Sequence, residues 1–225
     1  NKALMQFQQN PQHSSLHYEK LTAFRDSKLR SIRVNQDVRI ILAAAEKENL
    51  YLVLYVDHHE PAYDWASRRK VAINPNTGTL QVFTVQEQTE QPAHTPVPQQ
   101  DPGPFDNIRD RQLLQLGVPE DALTLVRDMK SEADLEAARK AELIPPDAYD
   151  GLFMLMAGAS FEEAYNEAVP MAPESVDTED YTAALARPET RATFTVAENE
   201  EELQDVLSQS IEKWRVFLHP NQRRL

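Results

Sequence analysis

The segment 29–70 constrains the fold of this 225-residue chain more than any other part of it. Two runs of strand-forming residues, at 29–34 and 38–42, are separated by the turn-forming sequence Asn-Gln-Asp. A third run, at 50–56 (LYLVLYV), is continuously apolar, which is typical of a central strand covered on both faces. The sequence HHEPAY that follows predicts a short helix. These features predict a compact antiparallel sheet followed by a helix that opens on a His-His pair.

Composition divides the rest of the chain into further segments. A turn around Asn74-Pro-Asn-Thr-Gly lies between two extended pieces and predicts a β-hairpin, which completes a first module at residues 1–85. A Gln- and Pro-rich linker follows, and then a region whose apolar periodicity predicts four or five short helices. Ser131-Glu-Ala-Asp134 in that region is a capping-box start. The predicted ranges are 86–104 for the linker, 105–169 for the small all-α module, 170–192 for an acidic and mostly loop-forming linker, and 193–225 for a final segment.

The final segment mixes acidic and strongly apolar stretches. Phe194-Thr-Val196 predicts a strand, and 198–209 predicts an acid-rich helix. A second helix, at 211–218, places Trp214 and Phe217 on one apolar face that needs a packing partner. The chain begins with Asn1 and not with Met, so it is expected to be part of a longer protein.

Charge is distributed unevenly along the chain. Residues 1–85 contain 11 Lys or Arg and 8 Asp or Glu, whereas residues 86–225 contain 12 and 28. Only the first module is therefore expected to contact nucleic acid, because the acidic remainder would repel it. The absence of Cys favours a reducing, cytoplasmic location, and no apolar run reaches the roughly 18–20 residues of a membrane span.

Three stretches of the first module, LRSIRVNQDVRIIL, LYLVLYVDHHEPAY and WASRR, resemble the RelE/ParE superfamily. This resemblance implies an α+β fold in which helices pack on a small, twisted antiparallel sheet. Over nearly its whole length, the chain also resembles the N-terminal region of UvrD/Rep-type superfamily 1 DNA helicases that carry such a domain. LLQLGVPEDAL, LIPPDAYDGLFMLMAG and EKWRVFLHPNQRRL are the sequences behind this second resemblance.

The helicase resemblance implies a regulatory or targeting region ahead of an ATP-dependent motor that acts on DNA. It also implies that Gln222 contacts the adenine of ATP in the intact protein, because an amide can donate and accept hydrogen bonds at once. A polar helix cap after Pro220 is the alternative for this residue. ATP and magnesium are expected for the intact protein but no cofactor for this chain, which contains no GxxxxGK[ST] sequence and is not expected to be active alone.

The RelE resemblance implies a second function, a ribosome-dependent mRNA endonuclease. In such an enzyme His could act as acid or base near neutral pH, and Arg could stabilise charge on the phosphate. Asp57 would oppose this chemistry, because an extra carboxylate disfavours negative charge nearby. The candidate catalytic residues are His58, His59, Tyr63 and Arg39. The candidate nucleic-acid-binding residues, which suit either function, are Arg30, Arg33, Arg39, Arg68 and Arg69.

A structural role is the favoured alternative for the same residues. Asp57 or His58 could cap the helix, while Tyr63 and Trp65 pack on the sheet and the two arginines at its end complement the helix dipole. A third function is also open, in which the module is catalytically inert and binds a protein partner along its sheet. No metal site is expected, because adjacent His residues rarely reach one ion.

Overall fold

The computed structural model describes residues 2–22, 24–45, 48, 50–86, 103–171, 173–195 and 200–208, and these form a mixed α+β protein. Contacts divide it into a sheet unit, within Asn1–Val71 and Glu179–Leu225, and a helical unit, Ala72–Thr178. The strands are β1 (Glu19–Lys20), β2 (Leu29–Arg33), β3 (Val38–Ala45), β4 (Leu50–His58), β5 (Arg69–Ile73) and β6 (Leu80–Thr84). The helices are α1 (Lys2–Gln9), α2 (His59–Ser67), α3 (Asp110–Gln115), α4 (Leu123–Asp128), α5 (Glu132–Lys140), α6 (Pro146–Met156), α7 (Phe161–Ala168), α8 (Tyr181–Ala186), α9 (Pro188–Thr193) and α10 (Glu200–Ser208).

The sheet unit is built on a four-stranded antiparallel sheet in the order β1-β2-β3-β4. The predicted strands and the turn between β2 and β3 are confirmed. Alternate side chains of the strands form one buried cluster with α1, in which Phe7 and Leu16 pack with Ile32, Ile40 and Val56. Helix α2 packs against β3 and β4, and its Tyr63 contacts Ser31, which is one position away from Ile32 and therefore lies on the other face. Both faces of the sheet are thus covered by a helix, α1 on one and α2 on the other.

Strand β4 lies at an edge of this sheet in the described part of the chain, so the prediction of a central strand was wrong. Its apolar run has another cause, because both faces of the strand are covered. Tyr51 and Val53 pack against the α1 cluster, and the ring of Tyr55 stacks on Trp65 of α2 with 4.7 Å between centroids. A continuous apolar run therefore indicates that both faces of a strand are buried, and it does not indicate whether the strand has neighbours on both edges.

The helical unit has the short helices that the periodicity predicted. Helices α5 and α7 begin with capping boxes, since Asp134 accepts a hydrogen bond from the backbone N–H of Ser131 (2.9 Å) and Glu163 accepts one from that of Ser160 (2.8 Å). Gly117 ends α3 in the left-handed region, with φ of 91°. The largest fully buried side chains of this unit are Phe83, Phe105, Leu113, Leu116, Leu135 and Leu152.

The hairpin formed by β5 and β6 is grouped mainly with the helices, whereas the sequence predicted that the first module extends to residue 85. Gln81 on β6 donates to the backbone carbonyl of Gly117 and to Asp147 Oδ2, both at 2.8 Å. The Thr79 hydroxyl donates to the same carboxylate oxygen at 2.5 Å. Desolvation raises the pKa of Asp147, and the hydrogen bonds from Thr79 and Gln81 oppose that rise. This polar network fixes the hairpin within the helical unit.

Helices α8 and α9 occupy the second half of the acidic region 170–192, which was predicted to be mostly loop, whereas 173–180 contains no helix. Asp180 caps α8 by accepting from the backbone N–H of Ala183 at 2.7 Å. The Glu48 carboxylate accepts from the backbone N–H groups of Tyr181 (2.7 Å) and Thr182 (2.9 Å). Hydrogen bonds from the Thr182 hydroxyl and from these N–H groups lower the pKa of Glu48. The carboxylate of Glu48, which is distant in sequence, thus stabilises the start of α8. The local composition does not predict this helix start.

The last described residues correct one prediction and confirm another. Phe194 is the C-cap of α9, so 194–195 form no strand, and Val196 lies outside the described residues. Helix α10 confirms the acid-rich helix predicted at 198–209. Gln222, the apolar helix predicted at 211–218 and most of the linker predicted at 86–104 also lie outside the described residues. No helix in the described ranges is long and apolar enough to cross a membrane.

Candidate functional site

The turn between β2 and β3 is held by the side chain of Asn35. Its Oδ1 accepts hydrogen bonds from the backbone N–H groups of Asp37 and Val38, both at 2.8 Å. Asn favours such turns because its short side chain can replace a backbone carbonyl. The Asn35 side chain therefore accepts the hydrogen bonds of the backbone N–H groups in the turn. The Asn35 backbone carbonyl can accept hydrogen bonds from other side chains.

Two arginines converge on that carbonyl. Arg33 and Arg39 are directly opposite each other in the register of β2 and β3. Arg33 Nε donates to the Asn35 carbonyl at 3.0 Å, and Arg39 Nη1 donates to the same oxygen at 3.1 Å. Arg39 Nη1 also donates to the carbonyl of Val38 at 3.1 Å. The shared acceptor holds two like-charged groups side by side, an arrangement that is otherwise unfavourable for residues directly opposite on neighbouring strands.

Neither of these arginines forms an ion pair with a carboxylate of the described residues. Other cations do, since Arg68 pairs with Asp64 at 2.8 Å and Arg139 pairs with Glu136 at 3.0 Å. Asp57, the register partner of Arg39 on β4, accepts hydrogen bonds from the Tyr55 hydroxyl (3.0 Å) and from the backbone N–H of His58 (2.8 Å). Within the described residues, backbone carbonyls are the hydrogen-bond acceptors of both guanidinium groups.

The first residue of α2 joins this turn. The backbone N–H of His59 donates to the carbonyl of Asp37 at 2.7 Å. The His59 ring stacks on Tyr63, one helical turn later, with 4.5 Å between centroids and 26° between planes. His59 Nδ1 donates to Glu60 at 3.1 Å, and 45% of the His59 side chain is exposed. One ring face is thus covered by Tyr63 while much of the imidazole remains accessible to solvent.

Tyr63 is fixed against the sheet by three contacts. Its hydroxyl lies 3.0 Å from the Ser31 hydroxyl and donates to Glu19 at 3.4 Å, while its ring meets the edge of Phe24 at 5.8 Å. Ser31 and Arg33 are two positions apart on β2, so their side chains point to the same face. Tyr63, His59 and the two arginines therefore share one face of the sheet. We call Arg33, Arg39, the turn 35–37 and His59 the arginine corner.

Three of the predicted nucleic-acid-binding residues lie outside this corner. Arg30 is only 5% exposed and donates to the carbonyls of Ser27 (2.6 Å) and Leu29 (3.1 Å), so it is not available to a nucleic acid. Arg69 is 9% exposed, and its guanidinium lies 4.9 Å above the Trp65 ring. Arg68 is exposed but follows α2, whose nine residues place its two ends roughly 13 Å apart.

The predicted catalytic residues are brought together only in part. Arg39, His59 and Tyr63 share a face, as described above. His58 occupies the N-cap position of α2 without a capping hydrogen bond from its side chain, so the proposed His58 cap is not formed. Its register partner is Val38, which packs against the α1 cluster, so His58 lies on the face opposite Arg39. Tyr63 and Trp65 pack on the sheet, as the structural alternative predicted.

Sequence reasoning did not anticipate the pairing of Arg33 with Arg39 on one carbonyl. The available signal was the spacing Arg-x-Asn-Gln-Asp-x-Arg, which places two arginines opposite each other across a short turn. Within the described ranges, no three His, Asp or Glu side chains are grouped so that they could hold a metal ion. Comparison of the chain with protein-family models, with curated proteins and with solved structures finds no match.

Proposed function

We propose that this chain is the N-terminal accessory region of an ATP-dependent superfamily 1 DNA helicase, and that its sheet unit binds nucleic acid at the arginine corner. The observation behind the binding role is the pair formed by Arg33 and Arg39, two adjacent guanidinium groups without a carboxylate partner among the described residues. The resemblance of EKWRVFLHPNQRRL to the lead into a helicase core supports the assignment to a helicase.

The arginine corner suits a phosphate because Arg presents planar N–H donors that match an oxyanion. Arg33 uses Nε and Arg39 uses Nη1 for backbone carbonyls, so other donors of both groups remain. Three carboxylates oppose an anion: Asp37 lies in the same turn, Asp57 is opposite Arg39 in the register of β4, and Glu60 contacts His59. The expected binding is therefore weak and sensitive to salt, as befits a surface that assists a motor.

The corner is tested by fluorescence anisotropy with a labelled oligothymidine at increasing salt. Each phosphate contact contributes about −0.7 to the slope of log affinity against log salt for a single strand. Arg33→Ala and Arg39→Ala should each lower the affinity and flatten this slope by about that amount. Arg68→Ala is the matched control, since it removes an exposed arginine that is paired with Asp64. Equal effects of all three substitutions would contradict a specific role for the corner.

The motor is tested separately through Gln222. The intact mass of the protein in its source cells should greatly exceed 25.7 kDa. In the intact protein, Gln222→Ala should raise the KM for ATP about tenfold, because a hydrogen bond worth about 1.4 kcal/mol is lost to the adenine. Asn221→Ala is the neighbouring control and should leave KM unchanged. A natural mass near 25.7 kDa would remove the helicase from consideration.

A ribosome-dependent endonuclease is the second candidate, because Arg39, His59 and Tyr63 share one face of the sheet. His59 and Tyr63 stack on each other in this structure, however, and the Tyr63 hydroxyl is engaged by Ser31 and Glu19. An in vitro translation assay distinguishes the two functions. Cleavage of mRNA that is lost with His59→Ala and Arg39→Ala would favour the nuclease, and intact mRNA would favour the accessory role.

A further inference from the structure

We propose that the arginine corner binds one nucleotide of an unpaired strand, with the phosphate on Arg33 and Arg39 and the base stacked on the exposed face of His59. This inference rests on the proposed nucleic-acid-binding role and adds what that role leaves open, namely which form of nucleic acid the site selects. It requires two halves, an oxyanion site and an aromatic platform, at a distance that a single nucleotide spans.

The oxyanion half is the arginine pair. Arg33 makes one hydrogen bond, from Nε, so the two Nη groups at its tip have no partner among the described residues. Arg39 makes its hydrogen bonds from Nη1, so its Nε and Nη2 likewise have no partner among the described residues. The bonds to Asn35 hold both groups in place before a ligand arrives. Such preorganisation reduces the entropy lost on binding.

The platform half is the stack of His59 on Tyr63. Tyr63 covers one ring face at 4.5 Å between centroids and is itself fixed by Ser31. Because 45% of the His59 side chain is exposed, the base is proposed to stack on the ring face that Tyr63 does not cover. Aromatic side chains stack on bases with little dependence on sequence, because every base has a π-face.

One turn of the backbone is bonded to both halves of the site. The arginines donate to the carbonyl of Asn35, and the backbone N–H of His59 donates to the carbonyl of Asp37 in the same turn. The phosphate site and the platform are thus attached two residues apart in the same tight turn. A base pair buries the faces of its bases between neighbours, so a duplex can occupy the arginines but not the platform. The corner therefore selects an unpaired strand.

The test compares three labelled probes in anisotropy titrations with the whole chain: an oligothymidine, the same strand with abasic sites, and a duplex of equal length. The wild-type chain should bind the oligothymidine most tightly. His59→Ala should lower the affinity for the oligothymidine by about fivefold or more, which corresponds to the lower end of the free energy of stacking one base. The affinity for the abasic strand should change by less than about twofold. His59→Phe should restore binding, because it keeps the ring and removes the imidazole nitrogens.

Two further variants separate stacking from charge. Arg68→Ala is the control, since it removes an exposed arginine that is paired with Asp64 outside the corner, and it should bind like the wild type. Glu60→Gln should tighten binding to all three probes, because it removes a carboxylate 3.1 Å from His59 Nδ1. An oligouridine of the same length serves as an RNA arm, and tighter binding of either single strand over the duplex supports the inference.

The outcomes are distinguishable. If the abasic strand binds as tightly as the oligothymidine, or if His59→Ala has no effect while Arg33→Ala does, the site contacts phosphate only and the platform is refuted. The proposed nucleic-acid-binding role would survive that result. If the wild-type chain binds none of the probes at low salt, both are refuted. A loss with His59→Ala that His59→Phe does not restore would also refute stacking.

Discussion

Substitution of Gln81 tests how the protein is divided into units. Gln81 is 3% exposed, donates to the Gly117 carbonyl and to Asp147, and accepts from Asn74 Nδ2 at 3.3 Å. If the hairpin is part of the helical unit, removal of this side chain should destabilise the helices around Asp147. Strands of the sheet unit should keep their stability.

The expected loss follows from the partners that remain. In Gln81→Ala, Gly117 still accepts from Asn74 (3.0 Å) and Asp147 still accepts from Thr79 (2.5 Å), so neither acceptor is left without a hydrogen bond. A neutral hydrogen bond contributes about 0.5–1.5 kcal/mol and one to a charged group about 1.5–3 kcal/mol. The free energy of opening of the helical unit should therefore fall by about 2–4 kcal/mol. Gln81→Met is the matched variant that loses the hydrogen bonds but keeps the volume.

Hydrogen exchange by mass spectrometry on the whole chain measures this loss segment by segment. Peptides from α6 and from the hairpin should exchange faster in Gln81→Ala, while peptides from β3 should exchange at the wild-type rate. Gln36→Ala, at an exposed turn position, should change neither. Equal acceleration in β3 and α6 would refute the division, and a change below about 0.5 kcal/mol would refute the energetic reasoning.

Three further predictions concern single side chains. Gly117→Ala should destabilise the helical unit by about 1 kcal/mol or more in urea denaturation, because φ is 91° there and a Cβ would lie 3.2 Å from Asp147 Oδ2. Gly158→Ala is the control for the backbone part of that cost, because φ is 93° there but no atom lies within 4 Å of the Cβ. Burial, with the nearby Asp26 charge, raises the pKa of Tyr181 to about 12, so one phenol should titrate late in ultraviolet absorbance, and Tyr181→Phe should remove it. The pKa of Glu48 is lowered in the folded chain, so the stability that Glu48 contributes is present above its unfolded pKa and is lost as pH falls through the folded pKa. In Glu48→Gln, the protection of α8 amides against hydrogen exchange should depend less on pH in that acidic range. An unchanged dependence would contradict the cap.

The structural interpretation of the predicted site residues holds for part of the set, and nucleic-acid binding stays a prediction for the rest. Arg30 and Arg69 are structural, because one donates to backbone carbonyls and the other lies over Trp65. Arg33 lies on the same strand as Arg30, yet it converges with Arg39 of the next strand at a turn, where neither has a carboxylate partner in the described structure. The side chain of an arginine on a strand therefore has a role set by its face and its position along the strand.

The sequence by itself determined the existence of most elements. Strand-forming residues around Asn35 predicted β2 and β3, the sequence Ser131-Glu-Ala-Asp134 predicted the start of α5, and Gly117 predicted the end of α3. These signals work because they act over a few residues, through side-chain alternation, capping hydrogen bonds and backbone freedom. Their outcome depends little on the remainder of the chain.

Only the tertiary structure decided which elements meet. Both faces of the sheet carry a helix, so alternation could not show that Arg33 shares a face with Tyr63. The edge position of β4, the grouping of the hairpin with the helices through Gln81 and Asp147, and the start of α8 beneath Glu48 all depend on contacts between residues distant in sequence. Such contacts form only when loop-closure entropy is offset by packing over the whole unit. The local sequence therefore does not predict which of these distant contacts form.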